Sequence, residues 1–213
     1  MYISIFTFND FYENSYVLYD DTGDCVIIDP GCSSFNEKQE LKSFISEHKL
    51  NPVHLLNTHC HIDHILGNRF VAETWGLPLS AHKGEIPVLA SGLTVSQMYG
   101  ISYELSPEIS VYYNEGDLIR FGHTELETLF TPGHSPASIS FYHKATGTLI
   151  AGDVLFKESI GRTDLPGGDY DTLIRSIRLK FFNLPDSTKV YPGHGPHTTI
   201  GYEKRHNPFL RDK

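Results

Sequence analysis

The sequence predicts a single α/β domain over residues 1–213, with its functional side chains carried on strand ends. Three observations predict it. Short apolar or alternating runs recur along the chain as strands. One-faced amphipathic segments lie between several of them. Turns bearing histidine follow three of the runs, at Thr58 to His64, at Pro132-Gly133-His134 and at Pro192-Gly193-His194.

In order, residues 1–30 alternate as strands at 2–8, 15–19 and 25–29, with a Gly-containing turn at 20–24, before Asp29-Pro30-Gly31 ends the run. Asp29 reads equally as a buried orienting carboxylate and as a turn residue. Residues 36–48 place Leu41, Phe44, Ile45 and His48 on one helical face, stopped by Asn51-Pro52. A strand at 52–56 leads into the histidine loop, a helix to Trp75 and a strand at 77–81. Residues 83–116 carry frequent Gly, Ser and Pro, so an irregular segment, either lid or surface decoration, is expected there. Strands follow at 118–121, 126–131, 138–143 and 148–151, then a helix over 169–182 and a strand at 189–191. The hairpins at 15–29 and 139–153 match Thr22-Gly23 to Thr146-Gly147 and Asp29 to Asp153, an internal likeness of two halves.

With 213 residues, 39% of them apolar, the chain can bury about 70% of its unfolded surface in one core. No apolar run reaches membrane-span length and the first ten residues lack a signal-peptide pattern, so a cytoplasmic protein without a membrane partner is expected. A net charge of -9 argues against nucleic acid. Three cysteines without C-x-x-C spacing argue against disulfides. Cys60 sits among the histidines, but on an extended segment it points away from His59 and His61 and is not expected to be a ligand.

His59, His61 and Asp63 alternate along an extended loop and can converge, while His64 points elsewhere, an arrangement suited to two adjacent ions. A metal site needs donors from other strand ends as well. His134 and His194 follow Pro-Gly turns, and Asp153 follows a strand ending in Gly152. Five imidazoles and two carboxylates without thiolate suit zinc first, then iron or manganese, and seven donors exceed one tetrahedral ion.

The T-H-x-H-x-D-H loop, the later P-G-H, the G-D at a strand end and the last G-H resemble the metallo-β-lactamase superfamily. Gly161-Arg162-Thr163-Asp164 and the stretch from Pro192-Gly193-His194-Gly195-Pro196 to Asn207-Pro208-Phe209 resemble its small glyoxalase II-like, or hydroxyacylglutathione hydrolase-like, branch. The resemblance implies a four-layer αββα sandwich. It implies one divalent ion held by His59, His61 and His134, a second by Asp63, His64 and His194, and Asp153 bridging them, with Asp63 and Asp153 counted as catalytic. It also implies a thioesterase acting on a small-molecule thioester such as S-lactoylglutathione.

Two such cations can share a hydroxide at neutral pH for attack on the acyl carbonyl. The leaving thiolate, with a pKa of roughly 8.5, departs without a general acid. Arg162 stands where the family has Lys and reads either as a bidentate contact to a substrate carboxylate, the reading adopted, or as a structural ion-pair partner, and only 19 residues follow His194 where glyoxalase II enzymes carry a helical domain. That departure leaves glutathione and shorter or different thioesters open, and the oligomeric state unread. The rival reading is a persulfide dioxygenase with one iron on His59, His134 and Asp153. Hydrolysis of a lactone or β-lactam, and a non-enzymatic module braced by metal, are the remaining alternatives.

Overall fold

In the computed structural model of the chain, which describes residues 1–211, the strands lie in two six-stranded sheets and one small hairpin. Two compact units carry them, residues 1–113 with 120–125, and residues 114–119 with the chain from 126 onward.

In the first unit, β1 (Tyr2–Phe8), β2 (Glu13–Tyr19) and β3 (Asp24–Ile28) form an antiparallel meander. The sheet then becomes parallel, adding β4 (Asn51–Leu56), β5 (Leu79–Ala81) and β6 (Ile109–Tyr112) in turn. Parallel neighbours cannot be joined by a tight turn, so each connection carries helix. These are α1 (Phe35–Glu47), then α2 (Ile62–Ile65) with α3 (Asn68–Trp75), then α4 (Ile86–Tyr99). Ser34 and Glu37 cap α1 reciprocally, and Leu41 and Ile45 bury its inner face. Phe8, Val17, Ile27, Leu55 and Ile65 join them in the core.

Residues 83–116 are not the irregular segment expected. α4 occupies 14 of them, opened by Pro87 in its first turn and closed by Gly100 in the left-handed conformation. Gly92 and Ser96 are buried, and Val88, Leu89 and Val95 beside them pack half-buried against the core; because Ile86, Leu93, Met98 and Tyr99 are apolar yet exposed, the helix shows little of the one-sided pattern that periodicity detects. A Cβ at Gly92 would meet the Tyr103 ring at 3.1 Å and Ile65 at 3.2 Å.

Asp20, at the β2–β3 turn, is also more than a turn residue. It accepts the Thr22 N–H and hydroxyl at 3.0 and 2.5 Å, the His123 N–H at 2.7 Å and the Thr124 hydroxyl at 2.9 Å. Burial alone would push its carboxyl up, but the Thr22, His123 and Thr124 donors outweigh that and bring it down to about 2.

In the second unit the sheet contains β7 (Leu118–Phe121), β8 (Thr124–Phe130), β9 (Ile139–His143) and β10 (Thr148–Gly152). The division between units cuts β7 and β8, whose joining residues 120–125 count with the first. The hairpin of β11 (Leu155–Phe156) and β12 (Ser159–Ile160) follows, then α5 (Tyr170–Ser176), β13 (Lys189–Pro192) parallel to β10, β14 (Thr198–Thr199) and α6 (Ile200–His206). The helix expected over 169–182 is α5 continued by a wider π-type turn, Ile177–Phe181. Leu173, Ile177 and Phe181, all buried, recur every fourth residue. That spacing drifts about 40° per step around an α-helix, and the wider turn keeps Phe181 inside. The expected likeness of the two hairpins is present, since β3 and β10 each end an antiparallel hairpin and pair in parallel with the next long strand.

Among the described residues no helix is long and apolar enough to cross a membrane. Gly92→Leu is expected to cost about 1–3 kcal/mol in urea denaturation through overpacking, whereas a loosely held segment would tolerate it. Asp20 has a folded pKa below its ordinary 3.8, so its stabilisation is full above that value and fades as pH falls towards 2. Between pH 5 and pH 2 the stability gap between wild type and Asp20→Ala should therefore shrink by about 2 kcal/mol in urea titrations.

Candidate metal centre

β4 delivers the first donors. After Leu56 the chain bends at Thr58 and reaches His61, which precedes α2 in an extended conformation with φ -66° and ψ 154°. Asp63 and His64 then lie in α2, not on the extended segment expected for Asp63. Helical neighbours diverge by about 100°, against about 180° in a strand, so adjacent Asp63 and His64 can serve one ion. The His64 Nε2 is 3.5 Å from the Asp63 Oδ2. The His59 ring centroid is 4.7 Å from that of His61 and 4.1 Å from that of His64.

Asp29 settles as the orienting carboxylate. It follows β3 in the left-handed conformation, φ 48°, and is buried. It accepts the Thr58 N–H at 2.7 Å, the Thr58 hydroxyl at 2.6 Å and the Asn57 amide at 3.2 Å, with the His64 Nδ1 at 3.2 Å. Because the Thr58 hydroxyl donates to Asp29, its oxygen accepts from the His59 Nδ1, 3.1 Å away. A carboxylate only accepts, so both rings carry their proton on Nδ1 and present the Nε2 lone pair. Ligand atoms of Asp29, His59 and His64 lie within 4.8 Å of one another, but Asp29's other bonds make it the support of the two imidazoles.

The second unit carries the remaining donors. Pro132 lies after β8, where its carbonyl accepts the Ser176 hydroxyl at 2.7 Å, and the Gly133 carbonyl accepts the Asp169 N–H at 2.8 Å. These bonds hold the turn that presents His134. Its Nδ1 is 2.8 Å from the Arg162 carbonyl, an acceptor only, which again leaves Nε2 with the lone pair. Asp153 follows β10 and His194 follows β13, beside it, with the Gly193 N–H on the Gly152 carbonyl at 3.0 Å. The Nε2 atoms of His134 and His194 each stand 3.5 Å from the Asp153 Oδ2. Donors bonded at about 2.0–2.1 Å to a tetrahedral ion lie about 3.4 Å apart. Neutral imidazoles with oriented lone pairs, carboxylates and these spacings fit a divalent cation in both units.

Cys60 is buried and its backbone N–H donates to Glu85 at 2.9 Å. Burial pushes its thiol well above its ordinary value, helped by Glu85 and Asp29, which disfavours the thiolate a ligand requires. Arg162 is exposed and binds Asp164 through Nε and Nη2, each at 2.7 Å, a pair that holds the Asp164 carboxyl near 2. Sequence reading missed Glu13, Asn57, Thr58 and Glu85. Glu13 is fully buried, accepts the Ser15 hydroxyl at 2.8 Å and lies 3.8 Å from the His64 Nδ1. Burial drives its carboxyl well up while His64 draws it down. Glu13 opens β2 as the first of three polar residues, Glu13, Asn14 and Ser15, all buried, so hydropathy gave no signal for it.

This α/β fold and its His/Asp donors on strand ends define a metallo-hydrolase. Residues 9–194 match the metallo-β-lactamase superfamily, and the chain belongs to it. It is 43% identical to the probable metallo-hydrolase YqgX of Bacillus subtilis, over 92% of each chain. It is 38% identical to the hydroxyacylglutathione hydrolase GloC of Haemophilus influenzae over the full length of both. The solved B3 metallo-β-lactamase BLEG-1 superposes at a TM-score of 0.89 with 36% identity, covering 99% of this chain and 100% of that one. TTHA1623, solved in a di-iron-bound form, gives 0.87 with 34% identity, covering 97% and 100%. The fold is therefore that of the metallo-β-lactamases, as the sequence resemblance implied.

Asp29→Ala removes the acceptor that orients His59 and His64, and metal affinity should fall about 10–100-fold in chelator competition. An unchanged competition curve would assign Asp29 to the turn alone.

Proposed function

We propose that this chain is a thioesterase of the hydroxyacylglutathione hydrolase type, and that its halves form one domain with one dinuclear centre. The observation that carries this reading is the donor set: five imidazoles and two carboxylates, no thiolate, on the segments that follow strands and on the short helix α2, with three of the rings in a set tautomer. The full-length likeness to GloC supports the thioester, and the di-iron form of TTHA1623 supports two ions. His59, His61 and His134 are assigned to one ion, Asp63, His64 and His194 to the other, and the carboxylate of Asp153 to both. Zinc is the proposed metal, with iron or manganese able to use the same donors.

When bound, the ions supply a hydroxide at neutral pH and polarise the acyl carbonyl. The chain's own residues make this work by orientation. Asp29 and the Arg162 carbonyl keep imidazole lone pairs pointed to the ions, and Asp63 and Asp153 contribute negative charge. No side chain is required as general acid, because a thiolate with a pKa of roughly 8.5 leaves readily. Arg162 is assigned to a carboxylate of the substrate, for which its planar fork is suited and for which Asp164 competes. The location proposed is the cytoplasm and the substrate a small molecule.

Elemental analysis of protein purified without added metal, followed by S-lactoylglutathione hydrolysis, tests the reading. About two ions per chain and turnover are expected, whereas one iron with oxygen uptake on glutathione persulfide would overturn it. Asp153→Ala should lose metal and reduce kcat/KM by more than about 100-fold. His48→Ala, at the exposed end of α1 with its ring on Phe44, should stay within about twofold of wild type.

A further inference from the structure

The tail from Thr198 to Asn207 has no part in the donor set, yet it contains a fully buried carboxylate. Glu203 on α6 accepts the Thr198 hydroxyl at 2.5 Å, the Glu158 N–H at 2.9 Å and the Asn207 amide at 2.8 Å. The same Asn207 amide donates to the Ser159 carbonyl at 2.9 Å. Two of these bonds, from the Glu158 N–H and through Asn207 to the Ser159 carbonyl, reach outside the tail to the β11–β12 hairpin, so they do more than anchor the helix.

Glu158 and Ser159 belong to the turn and second strand of the β11–β12 hairpin, and Glu158 is held at φ 58°, a conformation rare for residues other than glycine. Outside the turn, the Tyr202 hydroxyl donates to the Glu158 carboxylate and the Lys157 ammonium lies 5.8 Å over the Tyr202 ring. Helix α6 thus grips the hairpin from within and from without.

That hairpin touches all three donors of its unit. It begins at Leu155, two residues after Asp153. It returns at Gly161, whose N–H bonds the Val154 carbonyl and where a Cβ would strike the Asp153 carbonyl. The next residue, Arg162, offers the carbonyl that orients His134, and the Phe156 ring meets the His194 ring edge-on at 6.3 Å.

We propose that Glu203 is a positioning residue for the metal centre: by fixing the turn of the β11–β12 hairpin it sets Asp153, His134 and His194 at ligand spacing. This rests on the reading of these three as metal donors. Removing the carboxylate releases the turn, so the donors lose orientation although none of them is altered.

The test compares wild type, Glu203→Ala, Glu203→Gln and Asn207→Ala by zinc-chelator competition and by thermal unfolding with and without zinc. Glutamine keeps an oxygen for the Glu158 and Asn207 donors and can turn its amide to the Thr198 hydroxyl, so it should retain zinc within about threefold of wild type. Alanine at 203 should weaken zinc binding at least about tenfold, and Asn207→Ala, which frees only part of the turn, should weaken it less but measurably. The zinc-dependent rise in Tm should shrink in both alanine variants, because zinc stabilises only as far as it binds the folded state.

If both alanine variants lower Tm equally with and without zinc and bind zinc like wild type, Glu203 merely anchors α6 and the proposal is overturned. Should Glu203→Ala not fold, Asn207→Ala carries the same comparison. A wild type that binds no zinc, iron or manganese would instead overturn the metal-site reading beneath it.

Discussion

An imidazole can take a cation only through a lone pair, so each donor ring must be neutral and turned one way before metal arrives. The protein meets this requirement with acceptors that have no proton to give. Asp29 takes the His64 Nδ1 proton directly and the His59 proton through the Thr58 hydroxyl, while the Arg162 carbonyl takes that of His134. The rest of the architecture serves to deliver these acceptors to the rings. Their partners come from distant sequence, and only sheet pairing brings Asp29 at the end of β3 beside Thr58 after β4.

Parallel pairing explains why the donors gather at strand ends. Neighbouring parallel strands finish on the same side, so whatever follows β3 and β4, or β10 and β13, emerges together. Both exits use a left-handed residue to turn the chain, Asp29 at φ 48° and Gly152 at φ 55°, with an aspartate at or just after the turn. The glycine adopts this freely and the aspartate tolerates it better than most residues do. The internal likeness of the two hairpins is therefore a likeness of function, one aspartate orienting donors and the other counted among them.

The second theme is the burial of carboxyl groups. Glu13, Asp29, Glu85 and Glu203 are all within the protein, in a chain already carrying a net charge of -9. Such groups stabilise poorly, since desolvation offsets much of what their hydrogen bonds return. Their concentration behind the histidine loop and behind the β11–β12 hairpin is better explained by rigidity of the donors. The seating of α4 combines a close approach at Gly92 with the apolar side chains of Val88, Leu89 and Val95.

Much of this was legible in the sequence. Most of the longer strands, the helix α1, the histidine loop and both Pro-Gly-His turns follow from alternation, one-faced periodicity and donor spacing, which are local properties, whereas β6 and the Ser34 cap of α1 were not read. α4 was not legible because apolar residues on its exposed as well as its inner face blur the periodic trace, and α6 because seven mostly polar residues make no pattern. The placement of Asp63 on a helix was missed because one turn beginning at Ile62 has no signature of its own. What the amino-acid order determined unaided is the inventory of donors and the strands that carry them. What only tertiary structure decided is which acceptor faces each ring and which buried carboxylate steadies each loop. Those partners lie 28 to 45 residues apart in hydrogen bonds such as His134 to Arg162, His64 to Asp29 and Glu158 to Glu203, and folding alone chooses them.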